Sequence, residues 1–202
     1  MAYSDFTLRS VKIQFGLTIE ETTDLFSNVP EIVPRPEFVA RLKEISPLAL
    51  TIGSEKARSE FLIAPVVSEM WFLTNRRTAL FSGVDFDFDI AGGLSGYCDY
   101  IVARSPEQLY IEAPVVMLVE AKKEDMKKGY GQCIAEMIAA MRFNEREGQS
   151  VGKIYGAVTT GDRWKFLELE GLTARIDSAD YYIENLGKIL GILLNLAGVS
   201  QR

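Results

Sequence analysis

Residues 116–125, VMLVEAKKED, run from an apolar strand directly into a cluster of charge. Strand side chains alternate between two faces. Glu120 and Lys122 therefore share one face, and Val119 and Ala121 the other. An acid and a base held together at the end of a buried strand mark a charged site at the edge of a core. What that site does depends on which other residues reach the same edge.

The chain of 202 residues suits one domain, or one domain with an extension. With 48% hydrophobic and 25% charged residues it can bury a sizeable core. No apolar run approaches the length of a membrane-spanning helix. The opening MAYSDFTLRS carries neither the basic nor the apolar region of a signal peptide. Two cysteines, Cys98 and Cys133, are too few for a disulfide framework, so a cytoplasmic setting is expected. The net charge of −6 argues against a general nucleic-acid coat but leaves room for a local basic groove or an acidic metal site. Histidine is absent altogether. That excludes imidazole general bases, histidine zinc sites and serine–histidine triads. Hydrolytic chemistry in this chain must rest on carboxylates and lysine, and a metal ion beside them is expected.

Residues 4–28 read as short helical pieces, and 29–36, VPEIVPRP, as a proline-rich linker holding three of the seven prolines. A short helix from Pro36 to about Ile45 follows, so residues 1–50 read as a helical amino-terminal extension and 51–202 as the main domain. Ser54 caps a strong helix in which Ile63, Val66, Val67, Met70 and Trp71 form the apolar stripe and Pro65 imposes a bend. Strands are expected at 79–89, 97–103 and 114–120, then a helix at 127–147. Strands at 153–159, 164–169 and 173–176 precede a last helix at 181–197. Hairpin-joined strands followed by a crossover helix give an α/β sandwich with a mixed sheet between helices.

Asp99 lies on the strand before Glu120. With suitable pairing, two carboxylates and an ammonium converge. Paired carboxylates suit a hard cation such as Mg²⁺, which prefers oxygen ligands and keeps several waters. A water activated there beside a lysine is a nucleophile for phosphodiester hydrolysis.

The pattern Asp99 followed by Glu120-Ala121-Lys122 resembles the PD-(D/E)XK nuclease superfamily, with its restriction endonuclease-like fold. SEKARSEFLIAP, on the helix before the sheet, resembles the superfamily's first motif, and YGQCIAEM, on the helix after the strand, its fourth. The element order matches an α-β-β-β-α-β core, a three-layer sandwich, over roughly residues 54–170. The whole chain also resembles bacterial members of the superfamily, cyanobacterial ones in particular. The resemblance implies an Mg²⁺ ion (Mn²⁺ as substitute) held by Asp99 and Glu120 with the Ala121 carbonyl, and a metal environment completed by Glu55. It implies that Lys122 acts on the attacking water and the phosphate charge, and that Gln132 positions substrate or another group of the site. Where the superfamily's name has proline before the first acid, this chain has Cys98.

The expected activity is thus Mg²⁺-dependent hydrolysis of DNA. The alternative is a silent nuclease-fold module for binding or assembly, in which the last helix, ILGILLNLAG, could join two copies. Glu60 competes with Glu55 for the helix role. Gln132 and Glu136, four apart, share one helix face that either roofs the site or meets a partner. Asp85, Asp87 and Asp89 alternate with Phe86 and Phe88 and read as the solvent side of an edge strand. The lysines at 122, 123, 127 and 128, with Arg76 and Arg77, read either as a phosphate groove or as scattered surface charge.

Overall fold

The computed structural model describes residues 1–22 and 24–198. Its centre is a mixed, eight-stranded sheet. The strands are β1 (Thr18–Thr22), β2 (Ala79–Asp85), β3 (Tyr97–Ala103), β4 (Val115–Ala121), β5 (Ile154–Thr159), β6 (Arg163–Glu170), β7 (Thr173–Asp177) and β8 (Tyr181–Tyr182). They lie in the order β1-β7-β6-β5-β4-β3-β2, with β8 pairing beside β6. β4 and β5 are parallel and are joined through α5 (Met126–Arg146), while β2, β3 and β4 form an antiparallel meander. Every residue of β4 is buried, as expected for a strand covered on both faces.

Two apolar clusters, one on each face, make the molecule three layers thick. On one face α5 and α1 (Leu8–Phe15) cover the sheet, with Val11, Ile134 and Ile138 packed on Leu118 and Val158. On the other lie α2 (Pro36–Ile52), the segment from α3 (Glu55–Arg58) to α4 (Ala64–Leu73), and α6 (Leu186–Leu196). Their Val67, Met70, Ile189 and Leu193 share a cluster with Val119 and Phe166. The class is α/β, and no helix among the described residues is long and apolar enough to cross a membrane.

The strong helix at 54–73 is interrupted by a π turn over Ser59–Ile63, directly before Pro65. Proline supplies no N–H and its ring crowds the carbonyl four residues back, and a wider turn relieves both problems. The Ser59 carbonyl takes the Ala64 N–H five residues on and also accepts from the Tyr100 hydroxyl at 3.1 Å, which ties this bend to β3. Of the expected stripe, Ile63, Val66, Val67 and Met70 are buried, whereas Trp71 is only half-buried.

The amino-terminal fifty residues are more closely built into the fold than a helical extension would be. TIEET forms edge strand β1, parallel to β7, with Leu17 and Ile19 turned to the core. Tyr3, Phe6 and Val11 lie in the same cluster as the core of α5. Residues 30–32 lie against α6 so closely that a Cβ on Gly191 would stand 2.2 Å from the Pro30 carbonyl oxygen, and one on Gly187 2.4 Å from that of Ile32. Arg35 makes a two-pronged ion pair with the buried Glu69. With the arm on one side and the sheet on the other, the leucines and isoleucines of α6 are buried within the chain. This helix therefore leaves little apolar surface for joining two copies. It also starts later than expected, because Tyr181 and Tyr182 pair with β6 as β8 before a short 3₁₀ turn.

Candidate functional site

Glu120 occupies the last-but-one position of β4, and the strand register explains what it meets. Tyr100 pairs with Val119 and Ile101 with Leu118, so continuing the antiparallel ladder sets Asp99 opposite Glu120. The Ala121 N–H donates to Asp99 Oδ2 at 2.8 Å, which fixes the Asp99 carboxylate at the strand end. The chain then leaves the sheet, and the Lys122 N–H donates to the Thr159 carbonyl at 2.8 Å. The Lys122 side chain turns back, forms an ion pair with Glu120 Oε1 and donates to Gln132 Oε1 at 3.2 Å.

The helices deliver the remaining groups. Ser54 Oγ accepts from the Ala57 N–H, the expected cap, and thereby sets Glu55 in the first turn of α3. Glu55 Oε2 accepts from the Lys123 N–H at 3.1 Å, so the helix acid meets the loop that follows β4. Glu60 is instead half-exposed and pairs with Lys56 at 2.7 Å. On α5, Gln132 Nε2 donates to Glu136 Oε1 at 3.1 Å. Gly129 makes the helix narrow enough for Lys122 to lie across it, since a Cβ there would stand 3.1 Å from Lys122 Cε.

All five residues singled out from the sequence, Glu55, Asp99, Glu120, Lys122 and Gln132, line one cleft of about 420 Å³. Its opposite wall is formed by Ala2, Tyr3 and Ser4, with Gly96 and the exposed Tyr97 at the mouth. The Tyr3 hydroxyl bonds the Phe86 carbonyl and the Tyr3 N–H donates to the Ser95 carbonyl at 3.0 Å, which holds this wall in place. A larger cavity of about 660 Å³ between α1, α5 and β6 contains none of the five. There Lys165 is bound to Asp180 and to two carbonyls.

Burial dominates the electrostatics. It pushes the Glu120 carboxyl up to about 8, with Asp99 adding to the rise and Lys122 opposing it. Glu136 is fully buried, and burial followed by the nearness of Glu120 holds its carboxyl well above the usual range. For Lys122, burial works against the charge, but the adjacent Glu120 outweighs it and the ammonium keeps its proton more tightly. One oxygen of each glutamate, Oε2, is buried without a hydrogen-bond partner. Orphaned carboxylate oxygens at this depth destabilise a fold unless a proton or a cation meets them.

Among the described residues no three Asp, Glu, Cys or His side chains converge on one point as a ready metal cage. Two carboxyl groups do stand at the strand ends, and Glu120 Oε2 has no partner among the described residues. That donor set fits Mg²⁺, which commonly takes one or two carboxylates and fills its octahedron with water. Glu55, engaged by the Lys123 N–H, would join such a site through water.

No family model, curated protein or solved structure matches this chain. The functional reading therefore stands on the residues and their geometry.

Several other residues fall away from the cleft. Arg76 stacks over the Trp71 ring and Arg77 donates to the Thr74 carbonyl, so both serve the end of α4. Lys123, Lys127 and Lys128 are exposed. β2 ends at Asp85. Asp87 and Asp89 then accept from the Gly96 and Gly92 N–H groups, and Phe86 is buried. Cys98, which strict strand alternation would turn away from Asp99, packs on the α5 side with Cys133. The β3–β4 pairing ends at Tyr100, whereas β2 goes on to pair Val84 with Cys98 and Asp85 with Tyr97, past Gly83 at a φ of 62°. Burial, then Glu136, pushes its thiol up, and neither cysteine is in a disulfide.

Tyr3 and Glu136 are the site residues that sequence reasoning did not select. For Glu136 a signal existed in the i, i+4 spacing from Gln132. For Tyr3 there was none, because its place depends on contacts some eighty to ninety residues away in sequence.

Proposed function

We propose that the chain has a restriction endonuclease-like fold and hydrolyses phosphodiester bonds of DNA with Mg²⁺, or Mn²⁺ in its place. The observation that carries the reading is the meeting of Asp99, Glu120 and Lys122 at the end of two antiparallel strands, with Glu120 Oε2 left unpartnered. Asp99 and Glu120, with the Ala121 carbonyl, would hold the ion, and Glu55 would support it through water. When bound, the ion supplies charge neutralisation at the phosphate and polarisation of the attacking water.

The chain's own groups do the rest. Lys122 directs its ammonium at the charge that builds on the phosphate as the water oxygen adds and the ester P–O bond breaks. Gln132 orients Lys122 from the far side of the cleft. The products are a phosphate monoester and a hydroxyl end. The amino-terminal wall and Tyr97 limit access from one side, so DNA would enter between Tyr97 and the Glu55 helix.

The decisive test is incubation of purified protein with single- and double-stranded DNA in Mg²⁺ or Mn²⁺. Cleavage is expected, and Lys122→Ala should abolish it. If wild type and variant behave alike on every substrate, the enzyme reading fails. The second reading, a silent binding or assembly module of the same fold, draws on the net charge of −6 and on the Lys122–Glu120 ion pair, which can close the site by itself. Calorimetric titration with Mg²⁺ separates the two. A lapsed site should show no affinity that Glu120→Gln removes.

A further inference from the structure

We propose that Glu136 is a positioning residue, which fixes the orientation of the Gln132 amide and, through it, the place of the Lys122 ammonium. This rests on the proposed role of Lys122 at the phosphodiester site.

A glutamine amide carries a donor and an acceptor of nearly identical shape, so its orientation is set only by its partners. Lys122 Nζ has three donors and no acceptor. It can meet Gln132 only if Oε1 points into the cleft. From the cleft side that choice rests on one bond to Lys122, whose ammonium is shared with Glu120.

Glu136 supplies the missing constraint. It lies one helical turn along from Gln132 and is fully buried. Gln132 Nε2 donates to Glu136 Oε1 at 3.1 Å, which leaves Gln132 Oε1 to accept from Lys122 Nζ at 3.2 Å. The flipped amide would set its NH₂ against the Lys122 ammonium and withdraw the N–H that meets Glu136 Oε1, so both existing bonds would be lost. The series Glu136, Gln132, Lys122, Glu120 is therefore a single polarised chain of hydrogen bonds running from the helix interior to the strand end.

A purely structural role does not account for a glutamate here. Among the described residues Glu136 makes one hydrogen bond, to Gln132, and its Oε2 has no partner. An apolar residue of similar size would fill the same space without a buried orphan oxygen, and replacements of that kind are often neutral or stabilising. The fold carries this acid at a disadvantage, and the orientation of Gln132 is what it provides.

The test compares Glu136→Gln, which retains a carbonyl acceptor, with Glu136→Leu and Glu136→Met, which do not. The first readout is the Gln132 side-chain NH₂ pair in nitrogen-15 NMR spectra, assigned by its loss in Gln132→Leu. Protected, resolved protons are expected in wild type and Glu136→Gln, and collapsed, fast-exchanging ones in the apolar variants. Thermal melts should show the apolar variants at least as stable as wild type. The second readout is DNA hydrolysis in Mg²⁺. The apolar variants should lose about tenfold in kcat with KM unchanged, and Glu136→Gln should stay within about twofold. An unchanged Gln132 amide signal in both apolar variants overturns the proposal, as does a Glu136→Gln protein that loses as much activity as Glu136→Leu. If the amide responds as expected but no protein, wild type included, cleaves DNA, the positioning role stands and the hydrolytic reading is what fails.

Discussion

The backbone N–H of Ala121 donates to Asp99 Oδ2 at 2.8 Å, where the β3–β4 ladder gives out. A side chain here takes over the work of a strand hydrogen bond, and in doing so it holds one carboxylate of the site beside the other. Asp99 therefore has two separable roles. Asp99→Asn keeps an acceptor for Ala121 and should unfold within about 0.5 kcal/mol of wild type, whereas Asp99→Ala should lose a further 1 kcal/mol or so in urea denaturation. Both should lose Mg²⁺ affinity and cut DNA at least roughly 100-fold more slowly. An Asp99→Asn protein with full metal-dependent activity would remove Asp99 from the site.

Lys122 and Lys123 offer the narrowest comparison. The Lys122 side chain is 18% exposed and bonded to Glu120 and Gln132, while that of Lys123 is 59% exposed with Glu124 at 3.6 Å. Lys122→Met keeps the stem over Gly129 and removes the charge, so cleavage should fall about 100-fold with the fold intact. Lys123→Met should stay within about twofold. Equal effects in an initial-rate assay would mean that simple surface charge, not placement, drives any cleavage.

The difference between these two lysines was legible in the sequence because strand alternation is local. So were the buried run of β4 and the Ser54 cap that presents Glu55. What was hidden depends on distant partners. TIEET has one inward apolar residue, Ile19, too few for a periodic signal, and only β7 makes it a strand. The second face of α5 could have roofed a site or met another protein. In fact α1 and the turn at Tyr3–Asp5 pack on it, so closely that a Cβ on Gly131 would stand 2.4 Å from the Phe6 carbonyl oxygen. That cover is what buries Glu136 and closes one side of the cleft, and no window of sequence around position 136 contains it.

The two helix acids should separate cleanly. Glu55 accepts from the Lys123 N–H inside the cleft, whereas Glu60 pairs with Lys56 on the surface. Glu55→Gln is expected to weaken Mg²⁺ binding and slow cleavage about tenfold, consistent with a supporting partner rather than a direct ligand. Glu60→Gln should change neither. The reverse result in paired titrations would move the metal environment one turn along the helix.

Gly129 should tolerate no side chain. A Cβ there would stand 2.7 Å from Val158 Cγ1 and 3.1 Å from Lys122 Cε, neither of which can retreat without moving β5 or the lysine. Gly129→Ala is predicted to destabilise the fold by about 1–3 kcal/mol, the usual range for overpacking, although alanine is the better helix former. It should also slow cleavage by displacing the Lys122 stem. Gly152→Ala, in open space, is the control. A Gly129→Ala protein that melts at or above the wild-type temperature would show that Lys122 does not lie across this part of α5.

The metal-free protein should become less stable as pH rises. Glu120 has its carboxyl pushed up from 4.5 to about 8, so between those values the folded chain holds a proton that the unfolded chain has released. The unfolded state then binds fewer protons, and stability declines with increasing pH. The contribution is fully present below about pH 4.5, falls by up to about 1.4 kcal/mol per unit above it, and is lost once pH passes 8. Glu136, raised for the same reason, adds a slope of the same sign. Urea melts in chelator at pH 5, 6, 7 and 8 should show this decline, Glu120→Gln should flatten it, and Mg²⁺ should restore stability most at pH 8, where the carboxylates are charged. A flat profile in chelator, or Mg²⁺ stabilisation equal at pH 5 and pH 8, would mean that neither buried glutamate is held protonated.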